Sequence, residues 1–217
     1  MSSIANVTAT ARQILPCLAQ IPELAQAQAQ VAVVGDYAVN TFVPGSYHLT
    51  TLDICIDIGP QAPERMYELP TGTHDLVAGH LVRDFSGLFA NGERGLYSRQ
   101  TGVIIRFWGP AMFPTLMSTT ALVAAAQTAA VTLPIAPAKQ LLIVNIYYAS
   151  MRPLPAQRQA CGTNADALAD YLLRRQRALS FPRRFPFTHQ ERQEVRRCLD
   201  TFYQYSAHQL WWWRVRI

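Results

Sequence analysis

Residues 49–58, LTTLDICIDI, alternate in character from Thr51 onward. Thr51, Asp53, Cys55 and Asp57 fall on one side of an extended chain, and Leu52, Ile54, Ile56 and Ile58 on the other. The pattern predicts a strand with a buried aliphatic face and a polar face bordering a cleft. Two carboxylates on such a face suggest either a site for a hard divalent cation or proton transfer. Asp53 and Asp57 are four strand residues apart, a span of about 13 Å, too far to hold one ion without a bulge. Cys55 between them offers a nucleophile, but neighbouring acids raise a thiol's pKa and suppress the thiolate. His48, His74 and His80 are the other chemistry-bearing candidates. His74 and His80, in THDLVAGHLVRD, do not share the i, i+4 spacing of a helical metal pair, so they read as separate polar side chains.

The elements that must position these residues are legible as short patterns. ATARQILPCLAQIPELAQAQAQ (9–30) predicts helix interrupted near Pro16 and Pro22. VAVV (31–34) is a continuous apolar, β-branched run ending at Gly35, which predicts a short buried strand. Asp36 then stands where its side chain would cap a helix over DYAVNTF, and Pro44 and Gly45 predict a turn. PERMYELPTGTHDLVAGHLVRDF predicts one or two helices. GLYSRQTGVIIRFWGP (95–110) predicts a hairpin turning near Thr101 and Gly102, with VIIRFW as its inner strand. Pro110 and Pro114 predict the end of the sheet. Helix follows around 115–130, then over AKQLLIVNIYYASMR, NADALADYLLRRQRAL and THQERQEVRRCLDTFYQYSAH. The last opens on Thr188 with Glu191 three residues on, a capping-box pattern. The fold class expected is α/β (α+β): a mixed sheet flanked by helices, with a C-terminal helical region. The corresponding domains are 1–135 and 136–217.

Across its 217 residues the chain is 50% hydrophobic, enough for one large domain or two small ones. Its start lacks a secretory pattern, and the most apolar run, 121–138, is too interrupted to span a bilayer. The four cysteines (Cys17, Cys55, Cys161, Cys198) form no CxxC pair, which predicts free thiols and neither a disulfide framework nor a thiolate metal site. A soluble, cytoplasmic protein is the expectation. Charge is uneven: residues 1–150 hold seven Lys+Arg and nine acids, residues 151–217 twelve Arg and five acids. A basic C-terminal part suits a polyanion, but no aromatic-interleaved nucleic-acid motif accompanies it, and a solvated helical face is the preferred reading. In the terminal WWWRVRI, Trp211, Trp212 and Trp213 cannot all face one core. Docking of the rings onto the chain's own sheet is weighed against a homo-oligomer contact.

Taken in order, these motifs resemble the minimal nucleotidyltransferase type of the DNA polymerase β-like superfamily. In VAVVGDYAVNTF, Gly35 matches the glycine that ends the first strand and opens a helix. In TLDICIDI, Thr51 and Asp53 match a Thr-x-Asp-x-Asp motif, and GVIIRFWGP matches the strand bearing a third carboxylate. KQLLIVNIYYASMR and DALADYLL resemble the trailing helices, with Asp166 and Asp170 at positions where acids occur. The likeness covers roughly residues 15–180. In active members two or three carboxylates hold two divalent metals that neutralise a triphosphate. The departures fall on that machinery. Cys55 stands at the second carboxylate position and is a poor ligand for Mg²⁺. Arg106 stands at or near the third. Asp36 follows the glycine where phosphate would sit on a helix N-terminus. The resemblance therefore implies a family fold whose metal-dependent transfer is lost, with no metal or other cofactor expected. Its cleft would bind a small-molecule ligand or a partner through Gly35, Asp36, Tyr47, Cys55 and Trp108. Two other readings stand beside it: a metal-independent enzyme using Asp53, Asp57 and Arg106 for acid–base chemistry on a small organic substrate, and an active nucleotidyltransferase with an Asp53/Asp57 metal site.

Overall fold

The computed structural model describes residues 3–45, 49–58, 73–109, 119–176, 189–209 and 213. The N-terminal helix α1 (Ile4–Leu18) is capped by Ser3, whose hydroxyl accepts from the Asn6 amide. Its buried stripe comprises Val7, Ala11, Ile14, Leu15 and Leu18, the spacing of one helix face. Pro16 lies inside this helix and does not interrupt it. The interruption expected there falls after Leu18 instead, and Pro22 opens a new short helix, α2 (Pro22–Gln26), at a position where a missing N–H costs nothing.

Six strands form one mixed sheet: β1 (Gln30–Val34), β2 (Thr51–Asp57), β3 (Phe89–Gly92), β4 (Gly95–Ser98), β5 (Ile104–Trp108) and β6 (Thr120–Ala121). Their order is β3-β4-β5-β2-β1-β6. β2 and β5 run parallel; the other neighbours are antiparallel. Helix α3 (Gly35–Phe42) follows β1 directly, and α4 (Thr73–Asp84) precedes the β3–β4 hairpin. The predicted hairpin is present as β4 and β5, closed by the Gly102 amide donating to the Ser98 carbonyl. Two strands were not expected. β3 is a four-residue strand, FANG, without a period-two signal long enough to read. β6 pairs with Gln30 and Val31 of β1, so the sheet does not end at Pro110 and Pro114. Those two prolines lie outside the described residues.

β2 occupies a central place, and this corrects the expected cleft-facing strand. Ile54, Ile56 and Ile58 are buried as period two predicts, but Asp53 and Cys55 on the opposite face are buried as well. An interior strand of a sheet covered on both sides hides both sets of side chains. Asp57, at the strand's end, is half-buried.

After α5 (Leu122–Thr128) come α6 (Ala138–Met151), α7 (Pro155–Gln176) and α8 (His189–Phe202), then a 3₁₀ turn, Tyr203–Tyr205. α6 is buried on every side from Leu141 to Ile146, the signature of a helix at the centre of a core. α7 begins well before the predicted Asn164 because Pro155 starts it. The Thr188 cap and the Glu191 side chain lie outside the described residues. The chain divides into two compact units. The first comprises Met1–Ala38, Ser46–Met112 and Ser118–Ala136; the second comprises Val39–Gly45, Phe113–Met117 and Pro137–Ile217. Among the described residues no helix is long and apolar enough to cross a membrane.

Candidate functional site

The site is assembled at the junction of β1, β2 and β5. β1 delivers Gly35 at its end, and the antiparallel register sets Val34 opposite Asp53. The parallel register on the other side of β2 sets Arg106 opposite Asp53. The same alternation that points Asp53 away from the isoleucines places Arg106 and Trp108 on its side of the sheet. Three side chains distant in sequence therefore meet because of strand order alone.

Asp53 is the hub, its side chain only 6% exposed. Arg106 donates from Nε to Oδ1 at 2.8 Å and from Nη2 to Oδ2 at 3.0 Å. The Trp108 indole Nε1–H donates to Oδ1 at 2.8 Å. Nη2 also reaches the Thr51 hydroxyl at 3.2 Å. A forked guanidinium and an indole thus satisfy a carboxylate that burial would otherwise strongly disfavour. The Arg106 side chain itself is 46% exposed, and its guanidinium lies 5.8 Å from the Trp108 ring centroid.

Gly35 packs against this carboxylate. Its φ is +70°, the left-handed region, and a Cβ there would lie 2.5 Å from Asp53 Oδ2. Only glycine meets both conditions. α3 begins at Gly35 itself, so Asp36 lies inside the first turn and does not precede it as the expected cap. The Asp36 side chain is exposed there, where a negative charge is favoured by the helix dipole.

Cys55 is fully buried. Burial, with Asp57 adding to it, pushes its thiol up to about 12. It stays protonated and is not a nucleophile at neutral pH. Asp57 stands at the far end of β2, opposite Gln30 of β1. The structure therefore brings Gly35, Asp53, Arg106 and Trp108 into contact. It leaves Asp57 and Asp36 at separate positions and shuts Cys55 inside. Tyr47 and His48 lie outside the described residues.

Two arrangements escaped the sequence reading. Trp108, expected among the ligand-binding residues, donates a hydrogen bond to Asp53; its position two residues from Arg106 carried that signal. His80 is not a separate polar side chain. Its Nε2 is 3.2 Å from Glu23 Oε2 and its Nδ1 is 2.9 Å from Asp84 Oδ2, while Arg83 Nη2 approaches Nδ1 at 2.6 Å. Hydrogen bonds from Arg83 and His80 hold the exposed Asp84 carboxyl well below the usual range. Because Glu23 comes from α2, remote in sequence, no local spacing announced it. The two acids address opposite ring nitrogens, so they do not form a chelate with His80. The side chain of His74 lies outside the described residues.

The acids matched by resemblance in the later helices differ from one another. Asp166 is partly buried and accepts from the Ser206 hydroxyl and the Ala207 amide; burial pushes its carboxyl above the usual range against those bonds. Asp170 is exposed, with His208 Nε2 at 3.7 Å.

No family model matches the sequence, and no curated protein matches it. Among solved structures, the chain is similar to an antigenic nucleotidyltransferase-like protein from Paracoccidioides brasiliensis. That likeness has a TM-score of 0.55 at 12% identity, over 94% of this chain and 89% of that one. At that identity the likeness speaks to the fold alone. The chain has a nucleotidyltransferase-like fold.

Proposed function

We propose that this protein does not carry out metal-dependent nucleotidyl transfer and instead binds a small ligand or partner at the remodelled site around Asp53. The observation that carries the reading is the register of Arg106 with Asp53 and the two hydrogen bonds by which it takes both carboxylate oxygens. A Mg²⁺ pair needs several anionic oxygens with free lone pairs and no competing cation. This donor set supplies a carboxylate engaged by three N–H groups, a buried neutral thiol and a guanidinium, which does not fit such a pair. What the residues offer is different. Arg106 uses Nε and Nη2 on Asp53, and among the described residues Nη1 has no acceptor, so its outer edge is available to an anionic group. Trp108 beside it supplies a flat apolar surface.

Calorimetric titration with ATP in the presence and absence of Mg²⁺ tests the reading. The expected result is no Mg²⁺-dependent binding up to about 1 mM. Low-micromolar, Mg²⁺-dependent affinity overturns it. So does metal-independent turnover of a metabolite that disappears in Asp53→Asn or Asp57→Asn at unchanged melting temperature, because asparagine keeps the shape but exchanges no proton at neutral pH.

A further inference from the structure

A second site is built by α6 and α8, two helices of the C-terminal unit. α6 is buried through most of its length, but its last turn presents Tyr147, Ser150 and Met151 to a groove. α8 presents Gln193, Arg197 and Thr201, spaced i, i+4 and i+8, so they form one stripe along the helix. The two sets line a single groove of about 700 Å³, with the buried Cys198 at its base. The inward face of α8 is the usual apolar one, with Cys198, Leu199 and Phe202 buried. The stripe beside it is an amide, a guanidinium and a hydroxyl, with Gln193 and Arg197 exposed, and the open groove it borders is of the size that takes a metabolite.

The chemistry of the lining selects the occupant. Among the described residues of the lining, Arg197 is the charged one and none is an acid. Among the described residues Arg197 forms no ion pair. The Ser150 hydroxyl donates to the Tyr147 carbonyl at 2.7 Å, so towards the groove it acts as an acceptor. Thr201 adds a hydroxyl of either sense, and Met151, largely exposed, adds a pliable apolar surface beside the Tyr147 ring. We infer that this groove binds a small organic anion with an aromatic or aliphatic body, its carboxylate, sulfonate or monophosphate on Arg197 and its body against Tyr147 and Met151. The described lining residues all belong to α6 and α8, so the inference does not rest on the function proposed for the Asp53 site.

The test is a chemical-shift titration of the ¹⁵N-labelled full-length protein with benzoate and with phenyl phosphate, using benzyl alcohol as the uncharged control. Saturable shifts confined to the ends of α6 and α8, with half-saturation below about 1 mM, are expected for at least one anion, which also distinguishes carboxylate from phosphate. Benzyl alcohol is expected to bind at least about tenfold more weakly, a loss corresponding to one charge-assisted contact. Arg197→Met should weaken the anion by a similar factor. Met151→Trp, at an exposed position, should block the groove by bulk and abolish the shifts without removing the charge. Equal affinity for the alcohol, undiminished binding in both variants, or no saturable shift with either anion overturns the proposal.

Discussion

Asp53 and Cys55 occupy adjacent same-face positions on β2, and both are buried, yet their surroundings have opposite effects. Asp53 accepts hydrogen bonds from Arg106 and Trp108; Cys55, with no cation beside it among the described residues, remains a thiol. Replacing Arg106 by Met should therefore leave a buried carboxylate compensated, among the described residues, by the indole of Trp108 and the long contact of the Thr51 hydroxyl. The expected cost is about 2–3 kcal/mol, below the 3–5 of a fully buried pair because Arg106 is partly exposed to solvent. In the double variant Arg106→Met with Asp53→Asn most of that loss should return, and a denaturant-unfolding cycle measures it. Cys55 makes a prediction about pH. In the unfolded chain it ionises near its ordinary 9.0, whereas in the folded chain it does so near 12. The folded state therefore holds the extra proton between these values, so its stabilising contribution is complete below pH 9 and is lost progressively as pH rises towards 12. Over that range the slope from this one group is about 1.4 kcal/mol per pH unit. Cys55→Ala should lose that component of alkaline destabilisation, and a thiol reagent should label native Cys55 only as fast as the protein opens.

The turn from β1 into α3 is where element geometry and site geometry become inseparable. Gly35 carries the left-handed backbone that ends the strand, and it also leaves the space the Asp53 carboxylate fills. Gly35→Ala should cost about 2–4 kcal/mol, combining backbone strain with overpacking against Asp53. Thermal unfolding checks this, and a shift of less than a degree or so would refute the close packing. This turn was readable beforehand because a β-branched run ending in glycine is a local signal. So was β2, where eight residues alternate without a fault. The elements that escaped are those whose cause is non-local. FANG at β3 is held by pairing with β4, and Thr120–Ala121 becomes a strand only because Gln30 and Val31 lie beside it. The site divides in the same way. Asp53, Arg106 and Gly35 were legible as candidates through their place in an ordered series of motifs. The burial of Cys55 was not, because alternation in a central strand reports two faces without reporting that both are covered. Glu23 beside His80 was invisible for the same reason: nothing near either residue in sequence refers to the other.

At the scale of the whole molecule, the terminal tryptophans raise the question of whether they stabilise the chain or join it to another copy. Trp211 and Trp212 lie outside the described residues, but Trp213 is fully buried in its own chain. It packs edge-on against Phe202, the last residue of α8, with ring centroids 5.0 Å apart. Its indole N–H donates to the Ser206 hydroxyl at 2.8 Å, and that hydroxyl donates in turn to Asp166 of α7. At Gly162, one turn earlier on α7, a side chain would collide with the Tyr205 carbonyl, so the segment lies directly on the helix. Trp213 thus completes a core formed by α7, α8 and the turn after it, and large aromatic rings contribute most to such a core. Trp213→Ala should remove about 3–5 kcal/mol. The loss should be localised: amide exchange should quicken in α7 and α8, while the amides of β1, β2 and β5 keep their protection, because the sheet has a separate core of its own. Sedimentation of wild type and variant across a range of concentrations separates this from an interface role. A variant that keeps its exchange pattern and melting temperature but changes its association state would place Trp213 at a contact between copies; a variant that loosens α7 and α8 at unchanged association state places it in the core of a single chain.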